Sequence, residues 1–239
     1  MSLLNEMNMN KKLMTALALT GLAGAPAAQA KILWQDISAT YLNGSNYEVG
    51  DTDRQVFTFE HAAGYSWGDS FLFVDRLKSD NGDTETYAEV SPRFKVMDFN
   101  PDGLFKAAYV ATTWEIGQGF DNYLIGLGTD LNVTGFDYLQ LNAYRRSNEF
   151  YESNYQLTAV WGVPFAENFY YDGFIDWSSA SVGHAAEMNF TSQLKYNLGP
   201  MIGYDNRLYV GIEYAHWNNK FGIDGVDERN VNLLIKVHL

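Results

Sequence analysis

NVNLLIKVHL, residues 230–239, places Val231, Leu233, Ile235, Val237 and Leu239 on one side of an extended chain and Asn232, Lys236 and His238 on the other. That period of two is the signature of a strand with one apolar and one polar face. An uncovered strand of this kind is a row of unpaired backbone groups open to other chains. The alternation therefore predicts a covering strand elsewhere in the sequence and an apolar medium on one side.

The same rhythm recurs upstream, punctuated by Gly, Asn, Asp and Pro clusters. Alternating segments fall at 34–43, 54–63, 70–78, 84–96, 104–116, 121–131, 136–146, 153–163, 167–178, 186–198, 206–217 and 229–239. Most are close to the ~9–11 residues with which a tilted strand crosses a bilayer. An even count brings the last strand back to the side of the first, where pairing closes the sheet and removes both edges. The fold class expected is all-β, a twelve-stranded antiparallel transmembrane barrel over 31–239. The connections 44–53, 79–83, 117–120, 147–152, 179–185 and 218–228 are expected outside the cell.

Residues 1–30 supply the compartment. Lys11 and Lys12 precede an apolar run from Leu13 to Ala25, and Ala28 and Ala30 stand in A-x-A spacing before Lys31. This reads as a secretory signal peptide cleaved after Ala30, the run being shorter than the ~20 apolar residues of a spanning helix. Its removal takes away Lys11, Lys12 and Glu6 and leaves 14 basic against 28 acidic residues, a net charge of −14. So acidic a chain has no basic face for phosphates, which excludes a nucleic acid polymer as partner. There is no cysteine, so packing or a bilayer must do what disulfides do in other exported chains. Aromatic residues make up 15% of the chain, yet its mean hydropathy is −0.24; a barrel wall shows this because every second residue faces water.

The faces separate by parity. Tyr155, Leu157, Ala159 and Trp161 are expected toward lipid, as are Met188, Phe190, Leu194 and Tyr196, and Leu208, Val210, Ile212 and Tyr214. Trp161, Phe169, Tyr171, Trp177 and Tyr196 suit the interfacial aromatic girdles. The neighbours Thr158, Thr191 and Gly211 are expected to tolerate polar replacement better. A soluble barrel would put its apolar face inward, but so many polar side chains on one face would leave its core unsatisfied.

Turned inward, the polar faces collect Glu60, Arg76, Glu89, Arg93, Lys106, Asp172, Asp176, Glu187, Lys195 and Glu213, with the rings of Tyr87, Trp114, Tyr138, Tyr144, Tyr170, Phe174 and Tyr209. Aromatic faces offer stacking platforms for flat solutes, and carboxylates accept hydrogen bonds from hydroxyls. The candidate solute-binding residues are Glu60, Tyr87, Glu89, Arg93, Trp114, Tyr144, Tyr170, Asp172, Phe174, Asp176 and Glu213. The alternative is a narrow barrel whose side chains merely satisfy one another.

TFEHAAGYSWGDSFLFVD (58–75), YAEVSPRFKV (87–96), YLIGLGTDL (123–131), AVWGVPF (159–165) and FYYDGFIDW (169–177), in this order, resemble the Tsx-type nucleoside-specific channels, a family that includes outer membrane protein K. The resemblance spans the chain after residue 30. It implies a monomeric barrel in the outer membrane of a Gram-negative bacterium, surrounded by membrane lipid and lipopolysaccharide and delivered by the barrel-assembly machinery, with a narrow lumen that passes nucleosides. Residue-level transfer is confined to Glu60, Glu89, Arg93, Asp130, Phe174 and Asp176, which fall within matching motifs. Members commonly end on an aromatic residue; this chain ends on Leu239.

Family members also act as phage or bacteriocin receptors, so a non-transport barrel is a second reading. A barrel lipid hydrolase is a third. None of His61, His184, His216 and His238 is followed at the second position by Ser, and no H-E-x-x-H appears. Ser181 and His184 share a loop rather than a strand. The expectation is a protein without catalytic residues, metal or cofactor.

Overall fold

The computed structural model describes residues 31–100 and 102–239; the signal peptide expected over 1–30 lies outside them. Among the described residues the strands are β1 (Ile32–Gly44), β2 (Arg54–Tyr65), β3 (Gly68–Ser79), β4 (Thr84–Asp98), β5 (Phe105–Gly117), β6 (Phe120–Leu131), β7 (Tyr138–Ser147), β8 (Asn154–Phe165), β9 (Phe169–Ser178), β10 (Glu187–Asn197), β11 (Leu208–Asn218) and β12 (Glu228–His238). Each pairs antiparallel with its sequence neighbours, and β1 pairs with β12, so the sheet closes on itself. Helix α1 (Gly199–Ile202) sits in the β10–β11 connection, and a 3-10 turn (Lys220–Gly222) in the one after β11.

Closure covers the strand on which the alternation was read. Ser38 lies opposite His238, Thr40 opposite Lys236 and Leu42 opposite Leu234, and the Leu239 backbone N–H donates to the Ile37 carbonyl at 2.9 Å. The register carries parity around the wall, because paired residues share a face.

Burial is inverted relative to a soluble domain. On β12, Asn230 and Glu228 are 0% and 2% exposed while Leu233 is 67% exposed; Leu127 on β6 and Leu157 on β8 reach 71% and 52%. Polar groups bury because they find partners across the interior, and the apolar side chains form the outer wall. A bulge between Lys95 and Met97 on β4 faces one between Phe105 and Ala107 on β5, a device that bends a strand and re-aims its side chains.

Gly211 overturns one expectation. A Cβ there would lie 2.0 Å from the Leu194 carbonyl oxygen, so the position takes no side chain, polar or otherwise. Gly68 opens β3 at φ +148, with its would-be Cβ 1.9 Å from the Arg93 carbonyl, which only glycine permits.

The barrel has two unlike ends. One carries Ile32 and His238 (the terminal end); the other, the loop end, carries connections 45–53, 80–83, 118–119, 148–153, 179–186 and 219–227.

Candidate functional site in the barrel interior

Four inward-facing cations, Arg93, Arg146, Lys195 and Lys236, are largely buried and paired with carboxylates. Arg93 on β4 donates through Nε and Nη2 to the two carboxylate oxygens of Asp69 at 2.8 and 2.6 Å, and through Nη2 to Asp130 at 2.9 Å. The Tyr109 hydroxyl donates to the other Asp130 oxygen at 2.7 Å, and its ring lies 4.3 Å from the guanidinium. Lys195 on β10 donates to Asp172 at 2.5 Å and to Gln193 at 3.1 Å, between the rings of Tyr170 and Tyr209. Lys236 on β12 reaches across β1 to Glu60 on β2, whose carboxylate also accepts from Ser38 at 2.7 Å. Arg146 on β7 spans the interior, meeting Glu115 on β5 at 2.7 Å and Glu187 on β10 at 3.4 Å. Their side chains are only 2% (Lys195) to 14% (Arg146) exposed.

Four inward carboxylates are held differently, by neutral donors alone. Asp75 accepts from Thr58 at 2.6 Å and Glu89 from the Tyr87 hydroxyl at 2.7 Å. Asp176 accepts from Thr158 and, at 3.2 Å, from Gln156, and Glu213 from Gln193 at 2.8 Å and Asn232 at 3.1 Å. All four are partly accessible. Asp75 lies within electrostatic reach of Glu213 and Glu60, and Glu89 within reach of Glu115 and Asp176.

A file of rings runs beside Asp75 and Glu89. Phe150, in the connection before β8, lies 6.5 Å from Phe120. Phe120 lies 6.4 Å from Tyr87, Tyr87 lies 5.8 Å from Phe73, and Phe73 lies 5.9 Å from Phe71. The order descends from the loop end along the wall of β3 to β6. Beyond it, at the terminal end, a cavity of about 300 Å³ is lined by Trp34, Tyr109, Tyr138, Asp137, Gln140 and Lys106, among others. Two glycines make room for its rings: a Cβ on Gly64 would meet the Trp34 indole at 2.1 Å, and one on Gly162 the Tyr138 ring at 2.4 Å.

At the loop end, connection 45–53 folds onto the β1–β12 seam. Tyr47 is buried against Leu42, Val56 and Leu234, and its hydroxyl donates to Asn232 at 2.9 Å. The backbone N–H groups of Asn46 and Glu48 donate to Asn230 and Glu228 at 3.2 and 3.0 Å. Lys220, paired with Glu228, lies over Trp217 at 4.9 Å and Tyr47 at 5.7 Å. Glu187 gathers this end, accepting from Arg146, Ser178, Trp217 and the Gly222 N–H, with His184 Nε2 at 3.3 Å. Ser181 and His184 exchange backbone hydrogen bonds at 2.9 and 3.0 Å, and the His184 ring turns to Glu187 rather than to the serine.

Register places Glu60, Tyr87, Glu89, Arg93, Tyr144, Tyr170, Asp172, Phe174, Asp176 and Glu213 on the inner face. Trp114 is a correction. It pairs with Val90 and Tyr123 on the outer face, is 42% exposed, and donates its indole N–H to Asp121 at 3.2 Å. The inner face of β5 is Ala107, Tyr109, Ala111, Thr113 and Glu115, and small apolar residues on it hide the phase. Lys106 still reaches the mouth because the bulge at 105–107 resets that phase. Arg76 is a second correction, pointing outward to Thr86 at 2.7 Å, while its neighbour Asp75 faces in. Phe71 and Phe73 were missed with it, since β3 is apolar on both faces from Phe71 to Val74 and polarity there marks no side. Asp69 and Trp34 were also missed, and no local signal marks either.

No protein-family model and no curated protein matches the chain. Among solved structures, a KdgM porin in complex with disordered oligogalacturonate superposes with a TM-score of 0.53 at 13% identity, covering 84% of this chain and 98% of that one. A second KdgM porin structure gives 0.53 at 12% identity with the same coverage. The likeness is one of fold.

Proposed function

We propose that the chain is exported with loss of residues 1–30, inserts in the outer membrane of a Gram-negative bacterium, and forms a channel for diffusion of nucleosides or similar small solutes. The apolar outer wall supports the membrane: a closed sheet satisfies every backbone group internally, and exposed apolar side chains such as Phe57, Phe94, Leu127, Leu157 and Leu233 around the wall need a hydrocarbon solvent. Lipid and lipopolysaccharide would cover that wall, and the barrel-assembly machinery would place it there.

The observation that carries the channel reading is the ring file from Phe150 to Phe71 with Asp75 and Glu89 beside it. Centroid steps of about 6 Å let a flat base pass from one face to the next without leaving contact, each stack being worth ~1–3 kcal/mol. The carboxylates accept from sugar hydroxyls, and binding shared over several weak sites permits exit. Tyr170, Asp172, Phe174, Asp176 and Glu213, on β9 and β11, line the opposite wall in this reading, and Glu60 on β2 and Tyr144 on β7 flank the file. The resemblance to the Tsx-type channels points to the same solute class. Oligogalacturonate, present in the neighbour's complex, is acidic, whereas Arg93, Arg146, Lys195 and Lys236 on the inner face here are each taken up by carboxylates.

Arg146 and its partners reach across the bore, which favours a second reading, a closed structural or receptor barrel. Ion current through purified protein in a planar bilayer separates the two as adenosine or thymidine is titrated in. The channel reading expects current that falls with nucleoside, and a weaker fall in Phe73→Ala, Tyr87→Ala and Asp176→Ala. A barrel with no current and no nucleoside uptake in liposomes is the closed one.

A further inference from the structure

The two ways in which charge is held inside the barrel predict a second class of solute. Arg93, Lys195 and Lys236 are each bonded to carboxylates and buried at the wall, and Arg146, which crosses the bore, is bonded to Glu115 and Glu187. Asp75, Glu89, Asp176 and Glu213 have no ion pair among the described residues and stay partly accessible. A solute in the lumen therefore meets carboxylates and ring faces, and Arg146, the cation that crosses the bore, is held between Glu115 and Glu187. Connections at the loop end add Glu48, Asp51, Asp53, Asp80, Asp83, Glu149, Glu152, Asp224 and Asp227 around that mouth. Acidic clefts with low-dielectric walls concentrate cations and repel anions.

We infer that the lumen is cation-selective and passes small organic cations, protonated amines and quaternary ammonium ions, while excluding anions of similar size. This rests on the channel reading and adds a substrate class to it. The rings serve such solutes directly, since an ammonium group over an aromatic face is attracted by its quadrupole. Tyr87 presents such a face, and its hydroxyl is bonded to Glu89, so ring and carboxylate act at one place. Lys95 and Lys106 oppose this trend at the terminal mouth, but Lys95 is bonded to Asp98 at 3.1 Å.

The test is the reversal potential of purified protein in a planar bilayer under a KCl gradient, with choline then replacing potassium and glucuronate replacing chloride. The expected result is a preference for potassium over chloride of about fivefold or more, current carried by choline, and no contribution from glucuronate. The combined variant Asp75→Asn, Glu89→Gln, Asp176→Asn and Glu213→Gln should bring the ratio close to unity. Should that variant fail to assemble, judged by heat-modifiable migration, Glu213→Gln alone should lower the ratio measurably. Equal passage of potassium and chloride by a wild type that still admits nucleosides overturns the inference and leaves the channel standing. Full selectivity in the assembled variants overturns the assignment to these carboxylates. A wild type without current removes both readings.

Discussion

Arg93 lies in a fork of two aspartates with a tyrosine ring against it, and its side chain is 4% exposed. Removing the cation would leave Asp69 and Asp130 facing each other at low dielectric, and breaking a buried pair in this way costs about 3–5 kcal/mol. Arg93→Met is therefore expected to lower urea stability in micelles by that amount, with recovery when Asp69→Asn and Asp130→Asn are added. On the outer wall, Leu157→Arg should cost about 2–4 kcal/mol near the bilayer midplane, read by folding titration into vesicles, while Gln140→Arg on the inner face of the same region should cost less. Single residues were legible where polar and apolar types alternate cleanly, as at Asp172, Phe174 and Asp176 with Tyr171 and Ile175 between them. They were not where one face carries alanine: on β5 the inner set includes Ala107 and Ala111, so polarity does not mark the phase of Trp114.

Connection 45–53 is the element whose state is most open to experiment. Burial, and then the charges of Glu213 and Glu228, push the Tyr47 hydroxyl above the ordinary tyrosine value. The sign follows: below that value the ring is neutral whether the loop is seated or open, and the seated loop keeps its full stability. Above it, near pH ~10, the open loop releases a proton that the seated loop retains, so seating weakens as pH rises. Cleavage by an alkaline-tolerant protease within 45–53 is expected to increase above about pH 10 in the wild type, and Tyr47→Phe should lack that rise. Strand β12 is the second such element. Truncation before Glu228 would expose the edges of β1 and β11 and remove Lys236 from Glu60; loss of the heat-modifiable band is expected, and its retention would contradict closure by β12. Strand existence was legible because period-two runs between turn residues need only local sequence. The seating of Tyr47 was not, since its partner Asn232 lies 185 residues away.

At the scale of the whole molecule the function proposed depends on what the bore presents. A wild-type current that falls as nucleoside is added, and falls less in Tyr87→Ala, is the outcome expected of the ring file. Composition alone had already set the terms: many rings, weak mean hydropathy, excess acid and no cysteine describe a wall with one wet face. The sequence by itself determined the class of fold, the number of crossings and, on most strands, which face is polar, because these follow from alternation and turn chemistry within a dozen residues. Only the tertiary structure decided which cations are neutralised, which carboxylates remain open, and that Phe71, Phe73, Tyr87, Phe120 and Phe150 form one track. Those facts depend on the register between strands and on reach across the closed barrel, and neither is written in any single strand's own pattern.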